Sequence, residues 1–433
     1  MSANLSRTEG DPVDGPAGSD APAAEGAVTV VDPRLLVRQQ GFKGYLDDFG
    51  RKLRSGELGS LPVVIGLIII ALVFQFQDAR FLSAGNLSNL FVDASGTGLI
   101  AVGIVFVLIL GEIDLSVGSV SGLASAVFAV LNVSHGMPEW QALILSVLSG
   151  ALVGAFHGFF FARIGVPAFV VTLAGLLGWN GLMLQILGSN GTINLDADGL
   201  LSQLTNYYFS DVAVAYGVAV LAVVVFFGVS FLGSRRREAA GVPSRPLSEI
   251  VLRTVFIAVP AFLIAWLFNN FKGLPLAVVI FLAFIIGLDF VLRRTSYGRK
   301  VFALGGSVEA ARRAGINVVA IRISVFALSG TMAAIGGLFL ASQLNAANQS
   351  SGAGSLLMNA IAAAVIGGTS LFGGRGKTGS ALLGVLVIQA ISSGMALLGI
   401  GAAVQQMITG AVLLAAVVID SVSRKTQKTA GRA

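Results

Sequence analysis

The chain has 433 residues, of which 55% are hydrophobic and only 12% are charged. Soluble domains carry about 25% charged residues, so the chain lacks the charge that would cover a soluble fold. Residues 1–60 hold 16 of the charged residues, which leaves the rest of the chain poorer still. The composition excludes a soluble enzyme and a disordered protein. It predicts an all-α, polytopic bundle of transmembrane helices.

Cysteine is absent, and the only two histidines are His135 and His157. Disulfides, thiol catalysis and cysteine metal sites are therefore excluded, and no metal site is expected. The net charge of +6 would suggest nucleic acid in a soluble domain. In a membrane protein it reflects where the basic residues lie relative to the bilayer, so no nucleic-acid partner is predicted.

The segment before the first apolar run divides into two parts. Residues 1–33 hold 4 of the 11 prolines and six acidic residues, which predicts a disordered tail. In residues 34–57, aromatic and leucine side chains recur at helical spacing between basic residues, which predicts an amphipathic helix in the membrane interface. A polar linker is the alternative. The apolar positions of that helix are Phe42, Tyr45, Leu46, Phe49 and Leu53.

Twelve apolar segments follow within residues 61–420, each near the ~20 residues that a membrane span needs. The tenth is rich in glycine and is not expected to be a simple span, so 10–12 spans are predicted. Residues 421–433 are predicted to be a cytoplasmic tail. The segments cover about residues 61–76, 96–111, 115–133, 140–162, 166–188, 211–232, 251–269, 275–292, 320–342, 356–373, 378–397 and 403–420.

The positions of the basic residues predict the orientation of these segments. With the N-terminus in the cytoplasm, 26 of the 28 Lys and Arg residues fall on the cytoplasmic side, and only Arg80 and Lys272 fall outside. This distribution follows the positive-inside rule, so both termini are predicted to be cytoplasmic. The longest outer loops are then 189–210 and 343–355, and 293–320 is the largest inner loop.

Two glycine-containing breaks are similar to each other. Gly111–Gly118 aligns with Gly367–Gly374 at a constant offset, and both precede a helix of small residues. Interrupted segments at matching positions are typical of transporters with related halves, so the alignment indicates a weak internal repeat. Shared membrane composition is the alternative. The neighbouring run Gly373–Thr378 is not a phosphate loop, because Leu371 occupies the position of its first glycine.

Polar residues inside the apolar segments are the candidate transport path. Glu112 and Asp114 lie near membrane depth, where a carboxylate is costly and indicates function, through sugar hydroxyls or protons. Alternatively, Asp114 caps a helix that begins at Leu115. Neutral side chains would suit a polyol, although hydrogen bonds between helices need them too. The path candidates are Asp114, Ser116, Trp179, Asn180, Asn359, Thr369 and Ser370.

The inner loop 293–320 contains a predicted short helix. Ser307 suits the N-cap, Val308–Ala314 favours helix, and Gly315 suits the C-terminal stop. The helix would be exposed between two spans, where it is either a solvated connector or a docking site for a soluble partner. The residues assigned to docking are Ser307, Glu309, Ala310, Ala311, Arg312, Arg313, Gly315 and Ile316.

Three stretches resemble the permease subunits of ATP-binding-cassette importers for monosaccharides, the ribose, xylose and galactose group. They are Gly111–Gly118, Gly305–Asn317 and Ala362–Gly376, and the similarity covers most of residues 61–420. Glu112 departs from the glycine usual there. An added pair of apolar segments in 211–273 is similar to the longer, xylose-type permeases, which favours a pentose.

The resemblance implies a multi-pass subunit of the bacterial inner membrane that is not an enzyme. It implies four partners besides the lipid: a second copy of the chain, a cytoplasmic ATPase, an extracytoplasmic sugar-binding protein and a monosaccharide. ATP and Mg would bind the ATPase, so no cofactor is expected on this chain. An ion-coupled secondary sugar transporter and a scaffold subunit are the alternatives.

Overall fold

The computed structural model describes residues 61–189, 191–242 and 244–429. These residues form fifteen α-helices and four short strands. The predicted tail 1–33 and interfacial helix 34–57 lie outside the described residues. The first eight helices are α1 (Leu61–Gln77), α2 (Ala84–Ile109), α3 (Val117–Ala129), α4 (Glu139–Phe159), α5 (Ala168–Leu187), α6 (Leu200–Asn206), α7 (Val212–Ala239) and α8 (Leu247–Asn269).

Shorter elements alternate with spanning helices in the second half of the chain. The helices are α9 (Leu276–Arg294), α10 (Ser296–Gly306), α11 (Val308–Arg313), α12 (Val318–Leu344), α13 (Leu356–Ile366), α14 (Thr378–Leu397) and α15 (Ala402–Thr429). The strands are β1 (Thr192–Asn194), β2 (Tyr208–Phe209), β3 (Leu274–Pro275) and β4 (Ala346–Asn348). In addition, α3 and α4 continue as π-helical turns, Val130–Ser134 and Phe160–Ile164.

Nine helices among the described residues are long and apolar enough to cross a membrane. They are α2, α3 with its π-helical turn, α4, α5, α7, α8, α9, α12 and α14, and the all-α polytopic bundle is therefore confirmed. We call the end of the bundle that carries α10 and α11 the inner end, following the predicted orientation, and the opposite end the outer end.

The tenth predicted segment is a broken pass. Its helix, α13, has 11 residues and rises about 16 Å, roughly half the ~30 Å of a hydrocarbon core. The stretches 349–355 and 367–377 on either side are not helical. Such backbone can lie at membrane depth only where protein surrounds it or water fills a cavity, so the flanks of α13 must be enclosed or line a cavity.

The core of the bundle is α2, in which every residue from Ala94 to Ile109 is buried. A helix that is apolar all round belongs inside a protein or a membrane, and α2 contacts α12, α14, α13 and α9. The glycines and serines on its buried surface let these neighbours approach closely.

The crossing of α4 and α12 depends on glycine. Gly150, Gly154 and Gly158 recur every four residues and form one face of α4. A Cβ atom on Gly154 would overlap the carbonyl oxygen of Phe326, and one on Gly330 of α12 would overlap that of Gly150. This spacing of small residues is the usual device for close packing of membrane helices.

Two small antiparallel sheets tie the outer loops to each other. β1 pairs with β4, with Thr192 opposite Asn348, and β2 pairs with β3, with Tyr208 opposite Pro275. The first sheet thus joins the two longest predicted outer loops. The second sheet lies beside α7 and α8, a helix pair whose side chains meet the rest of the bundle near the outer end, where Phe91 contacts Phe268.

Substituting a glycine of the α4–α12 crossing should destabilise the protein. Gly154→Ala places a methyl group against the backbone of α12, so we expect the free energy of unfolding to fall by about 1–3 kcal/mol. The measurement is thermal unfolding of the purified protein in detergent. Gly178→Ala on α5 is the matched control, because its Cβ would have no atom within 4 Å. Equal melting temperatures for the two variants would contradict the assignment.

Candidate functional site

The predicted loop helix is present at the inner end as α11. The Ser307 hydroxyl accepts a hydrogen bond from the Ala310 amide at 3.3 Å, and Gly315 ends the helix with φ of 76°. These two features confirm the predicted helix start and stop. A second helix, α10, precedes α11 directly and was not predicted.

One face of α11 is exposed and the other is anchored. Glu309 and Arg312 are exposed and form an ion pair at 3.4 Å. On the opposite face Ala311 is buried, and its carbonyl accepts the Ile316 amide at 3.1 Å. The helix therefore presents a polar surface from a fixed position. Ser307, Ala310, Arg313 and Gly315 are also exposed, and Ile316 is half-buried.

A side-chain hydrogen bond fixes α10 to α12. The Tyr297 hydroxyl lies 2.9 Å from the Ser324 hydroxyl. Burial raises the pKa of Tyr297, and the bond with Ser324 opposes that rise. Val301 and Leu304 on the same helix are buried. Both helices of the inner loop are thus attached to the membrane bundle.

A buried polar network occupies the interior near the start of α3. One carboxylate oxygen of Asp114 accepts the Ser116 amide at 2.9 Å and the Ser116 hydroxyl at 2.6 Å. The other oxygen accepts the Ser329 hydroxyl of α12 at 2.9 Å. All three residues are buried, and these bonds satisfy a carboxylate that would otherwise be costly at this depth.

His157 extends the network to two more helices. Its Nε2 accepts the Trp179 indole N–H at 2.8 Å, and its Nδ1 lies 3.2 Å from the Ser116 hydroxyl. Since Nε2 accepts, a neutral imidazole carries its proton on Nδ1 and donates to Ser116. Ser116 then donates to Asp114, and every group has a partner. The network therefore joins α3, α4, α5 and α12.

Three path candidates, Asp114, Ser116 and Trp179, lie in this network. Asp114 accepts the Ser116 amide, as the predicted cap requires, but α3 begins at Val117, two residues after the predicted start, with Ser116 as its N-cap residue. Trp179 uses its only polar hydrogen on His157. The sequence predicted no partner for His157, and Ser329 was not among the candidate residues.

Asn359 lies elsewhere, at a cavity of about 290 Å³ between α3, the outer half of α12 and the start of α13. Among the described residues that line it, none is charged. The Asn359 amide nitrogen lies 3.4 Å from the Ser355 hydroxyl, while its carbonyl oxygen has no partner. The polar lining consists of Ser121, Ser125, Gln343, Ser350, Ser351, Ser355 and Asn359.

The other path candidates lie outside that lining. Thr369 and Ser370 are buried in the loop after α13, where the Ser370 amide donates to the Arg375 carbonyl at 3.0 Å. The Ser370 hydroxyl accepts the Phe372 amide, while the Thr369 hydroxyl has no partner. Asn180 is half-buried on α5.

Glu112 lies between α2 and α3 and is half-buried. Burial raises the pKa of this carboxyl, and the positive charge of Arg322 at the inner end of α12 opposes the rise. The Arg322 guanidinium lies 4.3 Å from the centre of the Phe161 ring. The residue that departs from the importer motif thus faces a cation at the inner end.

These features define a multi-pass membrane protein with a neutral polar cavity and an exposed, anchored short helix at its inner end. The description of the family model that matches residues 86–417 is branched-chain amino acid transport system / permease component. The match spans most of the chain, which therefore belongs to this family of transport permeases.

Curated relatives match along nearly their whole length. The xylose transport system permease protein XylH of Escherichia coli (strain K12) is 38% identical over 86% of this chain and 94% of its own. XylH of Haemophilus influenzae is 37% identical over 84% and 98%. The ribose import permease protein RbsC of Bacillus subtilis (strain 168) is 32% identical over 84% and 94%. No solved structure matches the chain.

The resemblance to monosaccharide-importer permeases, and to the xylose type among them, is confirmed by these relatives. Together with the nine spanning helices, they also confirm a multi-pass protein of the bacterial inner membrane.

Removing the carboxylate of the network should destabilise the bundle. Asp114→Ala leaves the hydroxyls of Ser116 and Ser329 without their acceptor, so we expect the free energy of unfolding to fall by roughly 2–5 kcal/mol. Thermal unfolding in detergent measures the change. Asp198→Ala is the control, since that residue is exposed in an outer loop. If the Asp114→Ala and Asp198→Ala variants unfold at the same temperature, the network does not hold the four helices together.

Proposed function

We propose that the chain is the transmembrane permease subunit of an ATP-binding-cassette importer that moves a monosaccharide inward, with xylose the favoured substrate. The observation that carries the proposal is the 38% identity with a xylose permease over 94% of that relative's length. An accessory motif or a shared membrane composition would not extend over so much of both chains.

The chemistry of the cavity supports a neutral, hydroxylated substrate. Its polar lining is made of hydroxyl and amide groups, which both donate to and accept from sugar hydroxyls. A charged solute would need a compensating charge in such a low-dielectric site. A pentose needs none.

The proposal divides the work among several chains. A separate ATPase binds ATP and Mg and docks on α11, so this chain is not itself an enzyme. A sugar-binding protein delivers the substrate at the outer loops, and a second copy of the chain completes the permease. ATP binding and hydrolysis then favour different states of the bundle, and alternating access follows.

Reversing a charge on α11 should uncouple the permease from its ATPase. Glu309 is exposed in the first turn of α11, so Glu309→Lys should lower uptake of labelled xylose roughly tenfold or more, as loss of an interface charge does. Membrane insertion should be unchanged. Glu238→Lys is the matched control, because Glu238 is exposed in the last turn of α7.

Uptake is measured in proteoliposomes that hold the permease, the ATPase and the sugar-binding protein. Normal uptake by Glu309→Lys would contradict the docking assignment. Uptake that needs no ATP and collapses with an ionophore would instead establish a secondary transporter.

Asn359 should contribute to translocation through the cavity. Asn359→Ala removes an amide that a sugar hydroxyl can contact, and the loss of about 1 kcal/mol corresponds to a roughly fivefold lower maximal rate. The rate is measured with saturating sugar-binding protein, which otherwise governs the apparent affinity. Met358→Ala is the control, since Met358 precedes Asn359 on α13 and is 48% exposed. Equal transport rates for the two variants would contradict the assignment of Asn359 to the transport path.

A further inference from the structure

Three segments that are distant in sequence meet backbone to backbone at the inner end. They are the end of α10 at Gly305, the end of α2 at Ile109 and Gly111, and the turn at Gly373 and Gly374. The Gly374 amide donates to the Ile109 carbonyl at 2.9 Å. We call these five residues the glycine joint.

Glycine is required for the approach. A Cβ atom on Gly305 would overlap the Ile109 carbonyl oxygen, and one on Gly373 would lie 2.8 Å from the Gly305 carbonyl oxygen and 3.0 Å from the Gly111 nitrogen. Gly111 and Gly373 also have φ of 81° and 83°, which glycine adopts without strain. The contact therefore joins main chains, with no flexible side chain between them.

Each of the three segments that meet at the glycine joint leads to a different part of the molecule. Gly305 lies two residues before Ser307, which caps the exposed helix α11. Beyond Gly111 the chain enters the buried network at Asp114, and upstream of Gly373 it leads through α13 to the cavity at Asn359. A displacement of the docking helix can reach both interrupted segments at this point.

We propose that the glycine joint stays closed through the transport cycle and carries the movement of α10 and α11 to both interrupted segments, with Gly305 as its positioning residue. The inference rests on the proposed function. To that function it adds a route by which movement reaches the transport path. The route is the backbone contact of the glycine joint, which moves as one body because closely packed interiors transmit displacement.

The test compares Gly305→Ala with Gly306→Ala in proteoliposomes that hold the ATPase and the sugar-binding protein. A Cβ on Gly306 has no atom within 4 Å, so that variant should behave as the unsubstituted protein. Gly305→Ala should keep assembly with the ATPase and basal ATP hydrolysis. Its uptake, and its stimulation of hydrolysis by sugar-loaded binding protein, should fall roughly tenfold, within the usual range of coupling between sites.

Two results would overturn the role of Gly305. Uptake by Gly305→Ala equal to that by Gly306→Ala would show that the contact carries no coupling. Loss of ATPase assembly together with uptake would show that Gly305 serves folding alone. If the unsubstituted complex itself shows no ATP-driven uptake, the proposed function fails instead, so the two failures are distinguishable.

Hydrogen exchange tests the closed joint without any substitution. In the complete complex, the Gly374 amide should remain protected both without nucleotide and with a non-hydrolysable ATP analogue, because its bond to Ile109 persists. Rapid exchange of that amide in either state would overturn the proposal that the joint stays closed and moves as one body.

Discussion

Hydrocarbon offers no partner to a backbone N–H or C=O group, and this constraint determines where the chain can leave the helical conformation. The stretches at 110–116 and 367–377 obey it by bonding to protein. The Glu112 amide donates to the Val107 carbonyl at 3.2 Å, and the Gly374 amide donates to the Ile109 carbonyl at 2.9 Å. Each break is thus closed by the end of α2, and the most buried helix of the bundle supports both.

Close approach of main chains is the second condition for this architecture. At the α4–α12 crossing and at the glycine joint, neighbouring backbones are so close that a side chain on the glycine would overlap the neighbouring backbone. Since lipid is as apolar as a leucine side chain, hydrophobic burial adds little to helix association inside the membrane. Van der Waals packing and hydrogen bonds must therefore stabilise the association. The excess of glycine in the composition, 55 residues, reflects this need.

Sequence alone predicted the features that depend on local pattern. Apolar length gave the spanning helices, and the Ser307 and Gly315 signals gave α11 with its ends. It did not predict the network, because Ser116 and His157 lie 41 positions apart and Ser329 and Asp114 lie 215 apart. Helical periodicity is also weak where all faces are apolar, so the burial of α2 on every side could not be deduced. Asp114 illustrates the limit, since a local rule predicted its bond to a backbone amide but could not predict its bond to Ser329.

The position of α7 and α8 has a consequence for how this family can diverge. The pair shares its buried contacts with the bundle near the outer end, through Phe91, Leu274 and Val278, and it contributes no residue to the cavity lining. Only 11% of the apolar window of each helix is buried, and on a surface that faces lipid any apolar side chain of moderate size is acceptable. Changes of length and sequence in this pair therefore need not repack the interior.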